Sequence, residues 1–189
     1  MNKIIFLDMD GVLVPFTQKR FKHLRNDEEV KELYENLEKK FGVDYTKYDK
    51  YDVGAAYYDV DESAVEELKR IIDSTGAKIV VSSDWRTYRP PEMMKDLLTM
   101  HGLGKYVIGI TPWKSIDERE EEAVKGIERS YSGRSGEILE YIRIHQDEIE
   151  NYVAIDDINL SDDLEGHFVW TSPKLTKKEA DKCIKILNG

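Results

Sequence analysis

Residues 3–14 read KIIFLDMDGVLV, and the order of residue types in that stretch decides the fold. Ile4, Ile5, Phe6 and Leu7 form a continuous apolar run. Such a run, with no polar alternation, predicts a strand buried on both faces, the pattern of a parallel sheet covered by helices. Asp8 and Asp10 follow at once, with Gly11 to let the backbone turn sharply. Ionised carboxylates are costly at the end of a buried strand, and a divalent cation is the commonest group that offsets the cost. Asp8 and Asp10 are therefore the first candidates for chemistry.

Outward from this strand, the chain alternates between helical and strand patterns. Pro15 stops a simple helical continuation. Residues 17–58 differ in composition, with Lys19, Arg20, Lys22, His23 and Arg25 clustered first. Asp27 then reads as a helix N-cap, and Val30, Leu33, Tyr34, Leu37 and Phe41 recur at helical spacing up to Gly42. Five tyrosines follow: Tyr45, Tyr48, Tyr51, Tyr57 and Tyr58. We read 17–58 as a small cap inserted after the first strand, with 1–16 and 59–189 as the core domain. A long connection carrying one packed helix is the alternative. Tyrosines beside Lys19, Arg20, Lys22 and Arg25 could form a basic, aromatic groove, or simply pack the cap.

A helix is expected over 61–75, a buried strand over 78–81 ending in Ser82 and Ser83, and, just after Pro90 and Pro91, a helix through about Met100. A strand over 106–110, a charged stretch over 115–132 and a helix over 133–145 come next. A strand over 153–155 ends in Asp156 and Asp157, a strand over 167–170 follows, and a helix over 176–187 closes the chain. This order predicts an α/β, Rossmann-like three-layer fold: a five-stranded parallel sheet, helices on both faces, right-handed crossovers. Ligands of such sheets bind at the carboxyl ends of the strands, where strand order reverses. Asp8 and Asp10, Ser82 and Ser83, and Asp156 and Asp157 would converge there from distant parts of the chain.

Composition narrows the function classes. The chain has 189 residues, 40% of them hydrophobic and 35% charged, enough for one core plus a small insertion. A formal net charge of -10 disfavours nonspecific nucleic-acid binding, although a local basic patch could override it. The single cysteine, Cys183, excludes an intramolecular disulfide and a cysteine zinc cluster. The short N-terminal apolar run meets aspartates at once, unlike a signal peptide, and no apolar run has membrane-spanning length. The expectation is a cytoplasmic protein.

Four carboxylates, a hydroxyl and a cation at one crevice suit Mg²⁺ and a phosphate. Mg²⁺ takes oxygen ligands and keeps waters. One carboxylate can attack phosphorus, and a second two residues on can move the proton. FLDMDGV, residues 6–12, resembles the first motif of the haloacid dehalogenase (HAD) superfamily, mostly Mg²⁺-dependent phosphatases. Ser82 resembles the second motif and Asp156-Asp157 the fourth. GAKIVVSSDWR (76–86), the helix carrying Arg134, Glu137 and Ile138, and VAIDD (153–157) together resemble the HAD domain of Swiss Army Knife RNA-repair proteins.

The resemblance implies Asp8 as nucleophile and Asp10 as general acid/base. It implies Mg²⁺ held by Asp8, the Asp10 backbone carbonyl and one of Asp156 and Asp157. It gives Ser82 to the phosphate. Arg134 is the choice for the basic third motif, with Lys125 and Arg129 as competitors. Ser83, Arg86 and Gly11 are candidates for contact with substrate. The function implied is a phosphomonoester hydrolase with an aspartyl-phosphate intermediate, acting on a phosphorylated small molecule, a nucleotide or a nucleic-acid end. The alternative from another class is a non-catalytic HAD-like module that binds a phosphorylated ligand or a partner.

Overall fold

β1 (Asn2–Leu7) occupies the middle of the sheet, as its apolar run demands. The computed structural model describes residues 1–16, 26–113 and 133–189. β1 is flanked by β2 (Lys78–Val81) and β4 (Ile149–Asp156), with β3 (Val107–Ile110) beyond β2 and β5 (Phe168–Trp170) beyond β4. All neighbours are parallel, and the order is β3-β2-β1-β4-β5. Leu7 lies opposite Val81 on one side and Ile155 on the other. The chain moves outward from β1 through β2 to β3, then returns to the far side of β1. The switch point is therefore the β1/β4 boundary.

Side chains alternate across each strand, so the sheet divides its apolar residues between two layers. Ile5, Leu7, Ile79, Val81, Val153 and Ile155 join the larger core. Ile4, Phe6, Val80 and Ala154 join the smaller one. α3 (Glu62–Thr75), α4 (Pro91–Thr99) and α6 (Lys177–Asn188) cover the larger face with Leu68, Ile71, Met94, Leu97, Ala180 and Cys183. Burial pushes the Cys183 thiol up to about 12, in keeping with a packed apolar role. α5 (Gly133–Ile144) covers the other face, where Tyr141 meets the Phe6 ring edge-on at 5.6 Å.

Differences from expectation concentrate in 26–58. Asn26, not Asp27, caps α1 (Asp27–Phe41): its side chain accepts from Glu29 N at 2.7 Å, and Asp27 opens the first turn. A second helix, α2 (Lys50–Tyr58), stands in the tyrosine-rich stretch, capped by Asp49. The tyrosines mostly pack. Tyr45 is fully buried and donates to Asp96 O at 2.9 Å, and Tyr48 donates to Asp96 Oδ2 at 2.7 Å. Tyr57 and Tyr58 line a groove with α1 residues Leu33, Asn36 and Leu37. Lys19, Arg20, Lys22 and Arg25 lie outside the described residues, as does the whole charged stretch 115–132. Leu33, Leu37, Val53 and Ala56 belong to the same core as β1, so 26–58 shares its apolar interior with the sheet. Arg89 grips Asp52 through Nε and Nη2, both at 2.7 Å, and ties α2 to the segment that follows β2. Among the described residues no helix is long and apolar enough to cross a membrane.

Candidate active site

The parallel ladder runs one residue past most of the strands. Asp8 N donates to Ile155 O at 3.1 Å, Ser82 N to Leu7 O at 2.8 Å, Thr111 N to Val81 O at 2.9 Å and Thr171 N to Asp156 O at 3.0 Å. Each strand thus delivers one buried polar side chain to the carboxyl edge: Thr111, Ser82, Asp8, Asp156 and Thr171, in sheet order. The three strand ends expected from the sequence converge. Thr111 and Thr171, on the edge strands, are additions.

Gly11 is required by a close approach. Its φ is +71°, and a Cβ there would lie 2.5 Å from Asp157 Cβ and 2.8 Å from the Phe16 ring. The loop therefore turns tightly, with Gly11 N donating to Val14 O at 2.7 Å and Leu13 N to Met9 O at 2.9 Å. Thr171 Oγ1 donates to Gly11 O at 2.9 Å and fastens the loop to β5. Gly11 thus sets the backbone of the Asp8–Asp10 loop, packed close against Asp157 and Phe16 and held by Val14 and Thr171.

Arg134 enters from the start of α5 and stands between the carboxylates. Its Nη1 donates to Asp8 Oδ1 at 3.0 Å, to Asp156 Oδ2 at 2.8 Å and to Ser82 O. Its Nη2 reaches Asp84 at 3.0 Å. Lys125 and Arg129, the competitors for this place, lie outside the described residues. Asp156 Oδ1 accepts from Ile158 N at 2.8 Å. Asp157 is half-buried, and its carbonyl accepts the Trp170 indole N–H at 2.8 Å.

Carboxylate oxygens of Asp8, Asp156 and Asp157 lie within 4.8 Å of one another. The group includes both residues of the acidic pair between which the sequence does not decide. An all-oxygen, acidic and largely buried donor set fits a hard divalent cation such as Mg²⁺. The Asp10 carboxylate stands apart from this group: its Oδ2 accepts from the Trp85 indole at 3.0 Å.

Ser83 and Arg86 hold positions other than an open crevice wall. The Ser83 hydroxyl lowers the proton affinity of Asp8 and accepts from Trp85 N at 3.4 Å. The Arg86 side chain is fully buried. Its Nε donates to Thr111 O at 3.1 Å, its Nη1 to Ser83 O and its Nη2 to Glu137. Arg86 thereby joins the ends of β2 and β3 to α5, one turn after Arg134, and its geometry is that of a brace. Ser82 Oγ and Thr111 Oγ1 are buried and have no hydrogen-bond partner among the described residues.

The carboxyls of Asp8 and Asp156 are both held above the ordinary 3.8. For Asp8 burial is the largest cause and the Asp156 charge the next, opposed by Arg134 and by bonds from Ser83 and the Met9 N–H. For Asp156 burial again leads, with Arg134 opposing it. A carboxyl that binds its proton more tightly when folded adds stability below its unfolded value, and loses it as pH rises through the folded one. At pH 8 the pair is ionised and mutually repelling, and a cation relieves it. At pH 5 protons compete for the same oxygens. Mg²⁺ at about 100 times its Kd should therefore raise Tm by roughly 5–10 °C at pH 8 and by little at pH 5. Differential scanning calorimetry measures both, and equal shifts at the two pH values would place the cation elsewhere.

Neither the curated proteins nor the solved structures yield a match to this chain. A family model does: the one described as the HAD domain in Swiss Army Knife RNA repair proteins matches residues 4–180, from the middle of β1 into α6. With nearly the whole chain matched, and with a five-stranded parallel sheet that brings Asp8, Ser82, Arg134 and Asp156 to its switch point, the protein belongs to this family of HAD domains.

Proposed function

We propose that the protein is a Mg²⁺-dependent phosphomonoester hydrolase that works through a phospho-Asp8 intermediate, on nucleotides or phosphorylated nucleic-acid ends. The observation that carries this reading is the Ser82 hydroxyl. It is buried without a partner on the strand end adjoining Asp8. Such a group costs about 1–3 kcal/mol, and a bound phosphoryl oxygen is the partner that would satisfy it.

Asp8 attacks phosphorus while the ester P–O bond breaks, and Asp10 gives its proton to the departing oxygen. Asp10, now a carboxylate, then takes a proton from water as the water oxygen bonds to phosphorus. The P–O bond to Asp8 breaks, inorganic phosphate leaves, and both aspartates return to their starting states. Ser82 and Arg134 stabilise the charge that collects on the phosphoryl oxygens. Asp8, Asp156, Asp157 and the Asp10 carbonyl are the groups that would hold Mg²⁺, which when bound neutralises the carboxylates and polarises the phosphoryl group. Family membership supports a nucleic-acid end as substrate, and the net charge of -10 favours a short contact over a long tract. We read 17–58 as the cap that governs access.

The test is phosphate release from 3′- and 5′-phosphorylated oligonucleotides, nucleotides and sugar phosphates, in Mg²⁺ and in EDTA. The expected outcome is Mg²⁺-dependent turnover, highest on an oligonucleotide end or a nucleotide. Turnover of sugar phosphates alone would move the substrate to small metabolites. Binding without turnover on every substrate would replace the enzyme with a binding module.

A further inference from the structure

One side chain touches the proposed acid/base and has no part in the steps above. The indole Nε1–H of Trp85 donates to Asp10 Oδ2 at 3.0 Å, across 75 residues of sequence. The indole is held from several directions. Ser83 caps the single turn Asp84–Arg86 that carries it. The next residue, Arg86, is locked by bonds to Thr111 O, Ser83 O and Glu137. The ring packs against the larger core. Trp85 cannot drift without disturbing buried bonds on both sides of the turn.

An indole N–H donates and cannot accept. In a protonated carboxyl the carbonyl oxygen is the strong acceptor and the hydroxyl oxygen a poor one, so the indole N–H selects the unprotonated oxygen. When Asp10 carries a proton, that proton therefore sits on Oδ1, and Oδ2 remains the acceptor. We infer that Trp85 is a positioning residue for the acid–base steps: it fixes the rotation of the Asp10 carboxyl and assigns the transferable proton to Oδ1. The inference rests on Asp10 being the proton donor and acceptor of the proposed hydrolysis. In the first half, the ester P–O bond breaks as Asp8 bonds to phosphorus, and the proton passes from Oδ1 to the leaving oxygen. In the second half, water yields a proton to Oδ1 as its oxygen bonds to phosphorus and the bond to Asp8 breaks. One oxygen serves both transfers, and the indole removes a rotational freedom before the substrate arrives.

Core packing alone predicts different kinetics. Proton donation matters for a poor leaving group and little for one that departs as a stable anion. The parameter to read is kcat/KM, which covers only the half that expels the leaving group. Trp85→Phe keeps an aromatic ring and removes the donor, and Trp85→Leu provides a second donor-free variant if the first fails to fold. Loss of one hydrogen bond to the acid should lower kcat/KM for an alkyl phosphate about 10-fold. For dinitrophenyl phosphate the loss should stay under about threefold. In an Asp10→Asn background the Trp85 change should add no further loss on the alkyl ester, because the group it positions no longer transfers a proton. Equal losses on the two esters, or a full additional loss in the Asp10→Asn background, would overturn the positioning role while leaving the hydrolase reading intact. Wild-type protein that turns over neither ester would overturn both.

Discussion

Asp8→Asn should reduce phosphate release by at least about 10³-fold and, in the same protein, raise the stability of the metal-free fold at pH 8. The two effects have one cause. The Asp8 carboxyl is buried beside Asp156, and its affinity for a proton is raised despite the Arg134 guanidinium 3.0 Å away. Ionised Asp8 is therefore a net burden on the folded state, and burial outweighs the ion pair. An amide of the same shape removes the burial and repulsion costs of that charge. The gain should be roughly 1–3 kcal/mol by urea unfolding at pH 8, shrinking toward pH 4 where the wild-type carboxyl is already protonated. The catalytic loss arises because an amide oxygen is too weak a nucleophile to form the phospho-enzyme. Stability should also respond less to Mg²⁺, since one of the three clustered carboxylates is gone. A variant that keeps wild-type turnover would remove Asp8 from the nucleophile's role. A variant that is less stable at pH 8 would show that the pair with Arg134 outweighs burial.

The parts of this arrangement legible in the sequence are those that interrupt an apolar pattern. Ile4 to Leu7 can only be a strand buried on both faces, so Asp8 must lie at its carboxyl end. The same logic places Ser82 and Asp156, each after a short run of apolar residues. Arg134 is legible only through the family resemblance, because a basic residue at the start of a helix has many ordinary reasons to be there. The residues that escape reading are those whose role is set by partners far along the chain. Thr111 and Thr171 follow edge strands, where a β-branched residue is expected in any case. Trp85 reads as core or as a stacking surface, since nothing local announces Asp10 as its partner. Arg86 follows a strand end and suggests a substrate contact, but Thr111 O, Ser83 O and Glu137 supply enough acceptors to draw its charge into the interior. The helix α2 has no apolar stripe at helical spacing and carries Gly54, so its pattern does not separate it from a loop. Its buried residues, Val53, Gly54 and Ala56, are small, and close approach to the core holds it rather than amphipathic periodicity.

Arg134→Met should show the reverse balance to Asp8→Asn, losing stability and activity together. The methionine matches the length of the stem and removes the charge that Asp8 and Asp156 share. Two buried carboxylates are then left without their cation, and breaking a buried pair in this way costs about 3–5 kcal/mol. The deficit should depend on pH with a definite sign. Removing Arg134 raises both carboxyls further, so the folded state of the variant holds protons to higher pH than the wild type does. The variant should therefore approach wild-type stability at pH 5 and fall furthest below it at pH 8. Mg²⁺ should restore part of the loss at pH 8, because a divalent cation can neutralise the same oxygens. It should restore little turnover, because the guanidinium would also neutralise the phosphoryl oxygens in the transition state, a contribution of about 10²–10³-fold. Arg134→Lys separates charge from geometry. A lysine returns the charge as a single point, whereas Nη1 and Nη2 of Arg134 together reach Asp8, Asp156, Ser82 O and Asp84. Most of the stability and only a minor part of the activity should return. Urea unfolding at pH 5 and pH 8, with and without Mg²⁺, reads the first half of this prediction and steady-state phosphate release the second. If Arg134→Met is equally destabilised at both pH values, Arg134 supports the fold by packing, and the pairing of Asp8 with Asp156 through one guanidinium is not what holds the crevice together.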